Sequence, residues 1–185
     1  MELLKIFVLC VGAAVSYGIA HDMVTAHLCL EYFTVGHPRL FATDVPAAHA
    51  LAWGVIATWW VGVALGPLLM MAARAGRRPR RGARELVRPL VRLQIAVGVI
   101  AVLFGLLGFM AASSGRVGLR GSLADAVPVE KHARFLAAAW MHLASYGFGA
   151  LGTLVLAIRI LVARRRERRS IELAERLAHR RRAMG

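Results

Sequence analysis

The chain is short of acid. Ten aspartates and glutamates stand against 24 lysines and arginines, which leaves a formal net charge of +14 over 185 residues. Charge of either sign is also scarce, at 18% of residues, while hydrophobic residues reach 58%. Soluble domains carry roughly 25% and 45–50%, so an ordinary soluble enzyme is excluded. Two cysteines, Cys10 and Cys29, are too few for a disulfide scaffold. The apolar content excludes disorder outside the charged ends. No segment alternates with period two, so nothing supports a β-barrel. The HExxH, CxxC and EF-hand patterns are all missing.

What is present is four apolar runs. A bilayer core takes about 20 apolar residues per helix, and the runs 3–22, 47–73, 93–112 and 135–158 meet that length. The sequence therefore predicts an all-α, four-helix transmembrane bundle over residues 1–163, followed by an Arg-rich, basic tail over 164–185. Ile171, Ala174, Leu177 and Ala178 recur at helical spacing in the tail, which predicts an amphipathic extension of the fourth span, lying on the membrane or reaching into the cytosol. Pro67 is the expected point of kinking in the second span, because it removes a backbone donor. The pairs Gly62/Gly66, Ala101/Gly105 and Ser145/Gly149 are expected helix contacts, since lipid gives no hydrophobic drive and small residues let backbones approach.

Direction follows from the arginines. Between the second and third spans eight arginines face Glu85 alone, and from Arg159 onward ten arginines face three glutamates. The linkers 21–46 and 113–134 balance to zero. Basic linkers stay in the cytoplasm, so both termini are expected inside an inner (cytoplasmic) membrane, with the first and third linkers outside. Gly18-Ile19-Ala20 has the small-x-small form of a signal-peptide site after the apolar stretch 6–15, but Glu2 offsets Lys5 in the leading region, and a retained first span is the preferred reading. Arg77, Arg78, Arg80, Arg81, Arg164, Arg165 and Arg166 are expected at anionic lipid headgroups, which attract such residues by about 1 kcal/mol each. Nucleic acid is the weaker reading of the same charge.

Chemistry concentrates on the other side. Six of the seven histidines, His21, His27, His37, His49, His132 and His142, fall on the outer side of this topology. The linker 21–38 adds Asp22, Cys29 and Glu31. His142 is the deepest, about 10 Å inside its span by the helical rise, and ionisable groups at such depth usually face the bundle interior and serve a function. Tyr17, Trp53 and Tyr146 lie one turn below His21, His49 and His142 and are the expected pocket residues. Imidazole and carboxylate are transition-metal ligands, so His21, His27, Glu31, His37, His49 and His142 form the candidate metal set, for zinc, iron or copper. Glu31 and Asp22 are the candidate bases. On one helix His21, Asp22 and His27 diverge, so a site using all of them requires a break in the helix or ligands from several elements. The bland readings are an interfacial aromatic belt for Trp53 and Trp140, a local pair of Glu31 with Arg39, and solvated loop positions for Asp44 and His132.

The pattern Tyr17-Gly18, His21-Asp22, Thr25, Cys29, Glu31-Tyr32-Phe33-Thr34, His37-Pro38 resembles a family of uncharacterised small bacterial multi-pass membrane proteins. The segments 52–60 and 142–146 share the likeness, which excludes the Arg-rich tail. It implies a bacterial membrane protein and brings no activity with it. The alternatives to an outward metal or small-ligand site are a haem or quinone redox protein, with His142 and either His21 or His49 as axial ligands, and a non-catalytic interaction or assembly protein. The latter would be a homo-oligomer or a partner of another membrane protein. A transporter is weaker, because no inverted repeat is seen.

Overall fold

A computed structural model describes residues 1–40, 42–76 and 79–184. All regular structure among them is helical. The order is α1 (Glu2–Leu28), α2 (Glu31–Thr34), α3 (Pro46–Ile56), α4 (Trp59–Arg74), α5 (Ala83–Ser113), α6 (Ser122–Ala126), a 3-10 turn (Val129–Lys131) and α7 (His132–Ala183). Four helical stretches, with α3 and α4 counted as one and the 3-10 turn joined to α7, are long and apolar enough to cross a membrane. Their outward faces are apolar, with Ile95, Leu103 and Leu106 on α5 and Leu143, Leu151 and Ile158 on α7 all exposed.

α1 packs on α3 and α4, and α5 packs on α7; α4 against α7 and α1 against α5 join the two pairs. The contacts use small residues, as packing without a hydrophobic drive requires. A Cβ at Gly54 would meet the backbone of Ile19 at 2.6 Å, and one at Gly62 would meet Val11 Cα at 2.5 Å. A Cβ on Gly66 would touch Cys10 at 3.3 Å, and one on Gly105 would run into Met141 at 2.5 Å. Gly149 departs from the expected pattern: a Cβ there meets nothing within 4 Å.

The helices outrun the apolar windows. α1 continues through His21–Leu28, because no glycine or proline stands there to end it. α5 begins at Ala83, ahead of the apolar run, because its first amides are capped: Glu85 Oε1 accepts from Gly82 N–H (2.9 Å) and Glu2 Oε2 accepts from Ala83 N–H (3.3 Å). Its other end is closed by Gly115 at φ 73°, with Gly115 N–H and Arg116 N–H donating back to the carbonyls of Ala112 and Ala111. α7 runs unbroken for 52 residues, about 78 Å at the helical rise, so the basic tail is the same helix as the fourth span.

The interruption in the second span is not at Pro67, which sits inside α4. It falls at Ala57–Thr58, where the Thr58 hydroxyl takes the Gly54 carbonyl (2.5 Å) and competes with the helix for that acceptor.

At the end of the molecule that carries Met1, the arginines do structural work. Arg164 is 0% exposed. Its guanidinium donates to the carbonyls of Ala72 (2.6 Å), Ala75 (2.8 Å) and Pro79 (2.6 Å). It thereby satisfies orphan acceptors at the end of α4 with a charge of the favourable sign. Arg164, expected at lipid headgroups, is thus withdrawn from them. Arg81, expected there too, spans Glu85 (2.8 Å) and Glu167 (2.5 Å), and Arg165 and Arg166 continue along α7. Arg77 and Arg78 lie outside the described residues.

Candidate functional site

At the opposite end, α1 and α7 meet through side chains. Asp22 on α1 is 4% exposed, and its Oδ1 lies 3.1 Å from Nε2 of His142 on α7. The other ring nitrogen of His142 fixes the chemistry of that contact. Nδ1 lies 2.8 Å from the Ala138 carbonyl, which can only accept, so Nδ1 carries a proton. In the neutral ring Nε2 then presents a lone pair to a carboxylate oxygen. Two acceptors cannot hold that separation unaided; a proton or a cation belongs between them.

His21 stands beside the pair. Its ring meets that of His142 edge to face, with centroids 4.5 Å apart, and is 9% exposed. Nδ1 lies 3.3 Å from Ser145 Oγ, which lies 2.8 Å from the Tyr17 hydroxyl. Nε2 of His21 is buried and has no hydrogen-bond partner. Ligand atoms of His21, Asp22 and His142 all fall within 4.8 Å of one another. Tetrahedral ligands about 2.1 Å from an ion stand about 3.4 Å apart, so Asp22 and His142 are already at ligand spacing and His21 needs a movement of no more than about 1.4 Å.

The short helix α2 roofs this group. Tyr32 lies against His142 at a 33° tilt with centroids 4.5 Å apart, and Phe33 meets it edge-on at 5.8 Å. His37 holds the roof from behind by donating from Nδ1 to the Tyr32 carbonyl (2.8 Å), between Phe33 and Trp53.

His27, His37, His49 and Glu31 are not gathered with the triad. His27 donates from Nδ1 to the Met23 carbonyl (2.7 Å) and His49 from Nε2 to the Thr43 carbonyl (2.8 Å). His132, expected as a solvated loop residue, opens α7 and donates to the Val127 carbonyl (2.9 Å). Glu31 pairs with Lys131 (3.7 Å), in place of the expected Arg39, and accepts from the Cys29 thiol (3.3 Å). Burial works against ionisation of Glu31; its backbone hydrogen bond, the Cys29 thiol and the Lys131 charge outweigh it and leave the carboxyl below its usual range. Burial, reinforced by Glu31, pushes the Cys29 thiol up to about 11. Both cysteines are free.

Tyr146 donates to the Ala57 carbonyl (3.2 Å) at the helix interruption, and Trp53 packs against His37. Two parts of the site carried little signal in the sequence. Tyr32 sits in a linker and looks like any interfacial aromatic. The Tyr17–Ser145–His21 chain joins residues 128 positions apart, although the one-turn spacing of Tyr17 below His21 and of Ser145 below His142 hinted at it.

Fold and site together define a helical protein with four helices fit to cross a membrane and a buried histidine–carboxylate group between the first and last of them. No protein-family model, curated protein or solved structure matches the chain.

Proposed function

We propose that this is a bacterial inner-membrane protein, a four-helix bundle with both termini in the cytoplasm, that binds a divalent transition-metal ion at His21, Asp22 and His142 near its outer face. The orientation rests on the arginine-rich end, which the positive-inside rule keeps in the cytoplasm. The metal rests on one juxtaposition: Nε2 of His142 stands 3.1 Å from the buried Asp22 carboxylate with Nδ1 committed to Ala138, and the partnerless Nε2 of His21 lies in the same group. Metal-binding histidines characteristically donate their second nitrogen to a carbonyl in this way.

Two imidazoles and one carboxylate suit zinc or ferrous iron and leave coordination positions for water or a substrate oxygen. With no thiolate among the donors, cuprous ion is disfavoured. A bound ion would polarise such an oxygen ligand, while Tyr32 and Phe33 limit access of bulk water. Haem is not favoured, because the His21 and His142 rings touch edge to face and leave no gap for a macrocycle between them.

The test is metal content after purification in detergent without added metal. The expected result is about one ion per chain, lost in His21→Ala, Asp22→Asn and His142→Ala and kept in His27→Ala, His37→Ala and His49→Ala. Full retention in all three triad variants would overturn the assignment.

A further inference from the structure

Below the triad, between α1, α4, α5 and α7, lies a cavity of about 120 Å³. Its walls are apolar, with Cys10, Leu69, Leu90 and Val97 among them, and no charged side chain lines it among the described residues. Three of its hydroxyls donate to backbone carbonyls, Thr58 to Gly54, Thr153 to Gly149 and Tyr146 to Ala57, and one N–H of the Gln94 amide donates to Ala13. Tyr17 and Ser145, which also line the cavity, hydrogen-bond to each other, and Ser145 Oγ lies 3.3 Å from His21 Nδ1. Either hydroxyl can be the donor in that bond, so the pair can turn to donate to a carbonyl or to accept from a hydroxyl. The cavity is open on one side, and Tyr146 on its wall is 41% exposed.

These features select a ligand. An enclosed apolar cavity of about 150 Å³ admits one benzene ring; this one, at about 120 Å³, is half-open, so it takes no more than a single six-membered ring with its substituents toward the opening. The lack of any charged wall residue excludes an anionic headgroup, which would lie there without a counter-ion. A hydrogen-bonding pair that serves carbonyl and hydroxyl alike suits a ring carrying those groups, and the open side suits an apolar tail. We infer that the cavity binds the ring of a lipid-soluble benzoquinone or its quinol, with a ring oxygen on Tyr17 and Ser145 and the tail leaving past Tyr146. The inference requires the membrane reading of the chain; it does not require the metal, although Ser145 also touches His21 Nδ1 and so joins the two sites.

Gly149 supplies a clean probe. It lines the cavity, and a Cβ there meets nothing within 4 Å, so Gly149→Leu fills the space without a backbone clash. Calorimetric titration of the detergent-purified protein with decyl-benzoquinone is expected to show saturable binding of one molecule per chain. Gly149→Leu should weaken it more than 10-fold at unchanged metal content and with no fall in melting temperature, since leucine is the better helix former. Tyr17→Phe should weaken it roughly 5-fold, the worth of one hydrogen bond. Decanoate, which matches the tail but carries a charge, should not compete. Absence of saturable binding, equal affinity in a folded Gly149→Leu protein, or competition by decanoate would each overturn the inference. A wild-type protein that binds quinone but carries no metal would sink the metal assignment and leave this one standing.

Discussion

The two ends of the molecule handle buried charge in opposite ways. At the arginine end, the described contacts close. Arg164 gives its guanidinium to three carbonyls, Arg81 joins two glutamates, and Glu2 and Glu85 cap the start of α5. At the histidine end they do not close. His142 Nε2 faces the Asp22 carboxylate across a gap that takes a proton or a cation, and the buried Nε2 of His21 has no partner. Both ends tie the α1/α3/α4 half to the α5/α7 half. One does so with a satisfied network and the other with groups that call for a cation or a proton. An unmatched buried polar group costs free energy, and in a membrane-spanning chain such a cost is characteristically retained for function.

That contrast predicts opposite mutational behaviour. Arg164→Ala leaves three carbonyls without their charged donor and should cost roughly 3–5 kcal/mol, seen as a fall in Tm of roughly 10 °C in detergent; an unchanged melting curve would break the comparison. Asp22→Asn should do the reverse. The new amide can donate to His142 Nε2, so Tm should stay within the equivalent of about 1 kcal/mol while the metal is lost. Ser145→Ala frees His21 Nδ1 from its orienting hydroxyl. Metal titration should then show affinity lowered by about 10–100-fold, the usual worth of such a support, with no loss of fold.

The smallest effect concerns Cys29, which lies beside the site and outside it. Its thiol is 1% exposed and raised from the ordinary 9.0 to about 11. The neutral thiol is favoured in the folded protein, so the resulting stability is present below pH 9.0 and declines as pH rises toward 11. In a Cys10→Ala background, iodoacetamide at pH 8 should react slowly with the native protein and rapidly once it is denatured. Fast native labelling would show that Cys29 is not held as described.

Much of the fold is legible in the sequence because hydropathy alone counts the apolar helices. Their ends are not, since helix limits depend on caps and not on hydropathy: the Glu2 carboxylate that caps α5 is 81 residues away from Ala83. The interruption at Ala57–Thr58 is equally invisible, because threonine only sometimes takes the carbonyl four residues back. At the candidate site, the depth of His142 is a sound pointer, since it follows from helical rise and the cost of burying an ionisable group. That His21 and Asp22 diverge on α1 and need a ligand from another element is also legible; which element supplies it is not, because His142 on α7 is 120 positions from Asp22 in the chain. His27, His37, His49 and Glu31 share the composition of the triad but find local partners, and composition cannot report that.

The most direct measurement is the metal content of the wild-type protein beside Asp22→Asn, both purified without added metal and shown to melt at the same temperature. The account predicts about one transition-metal ion per wild-type chain and none in the variant. Equal content in both, or none in either, would contradict it.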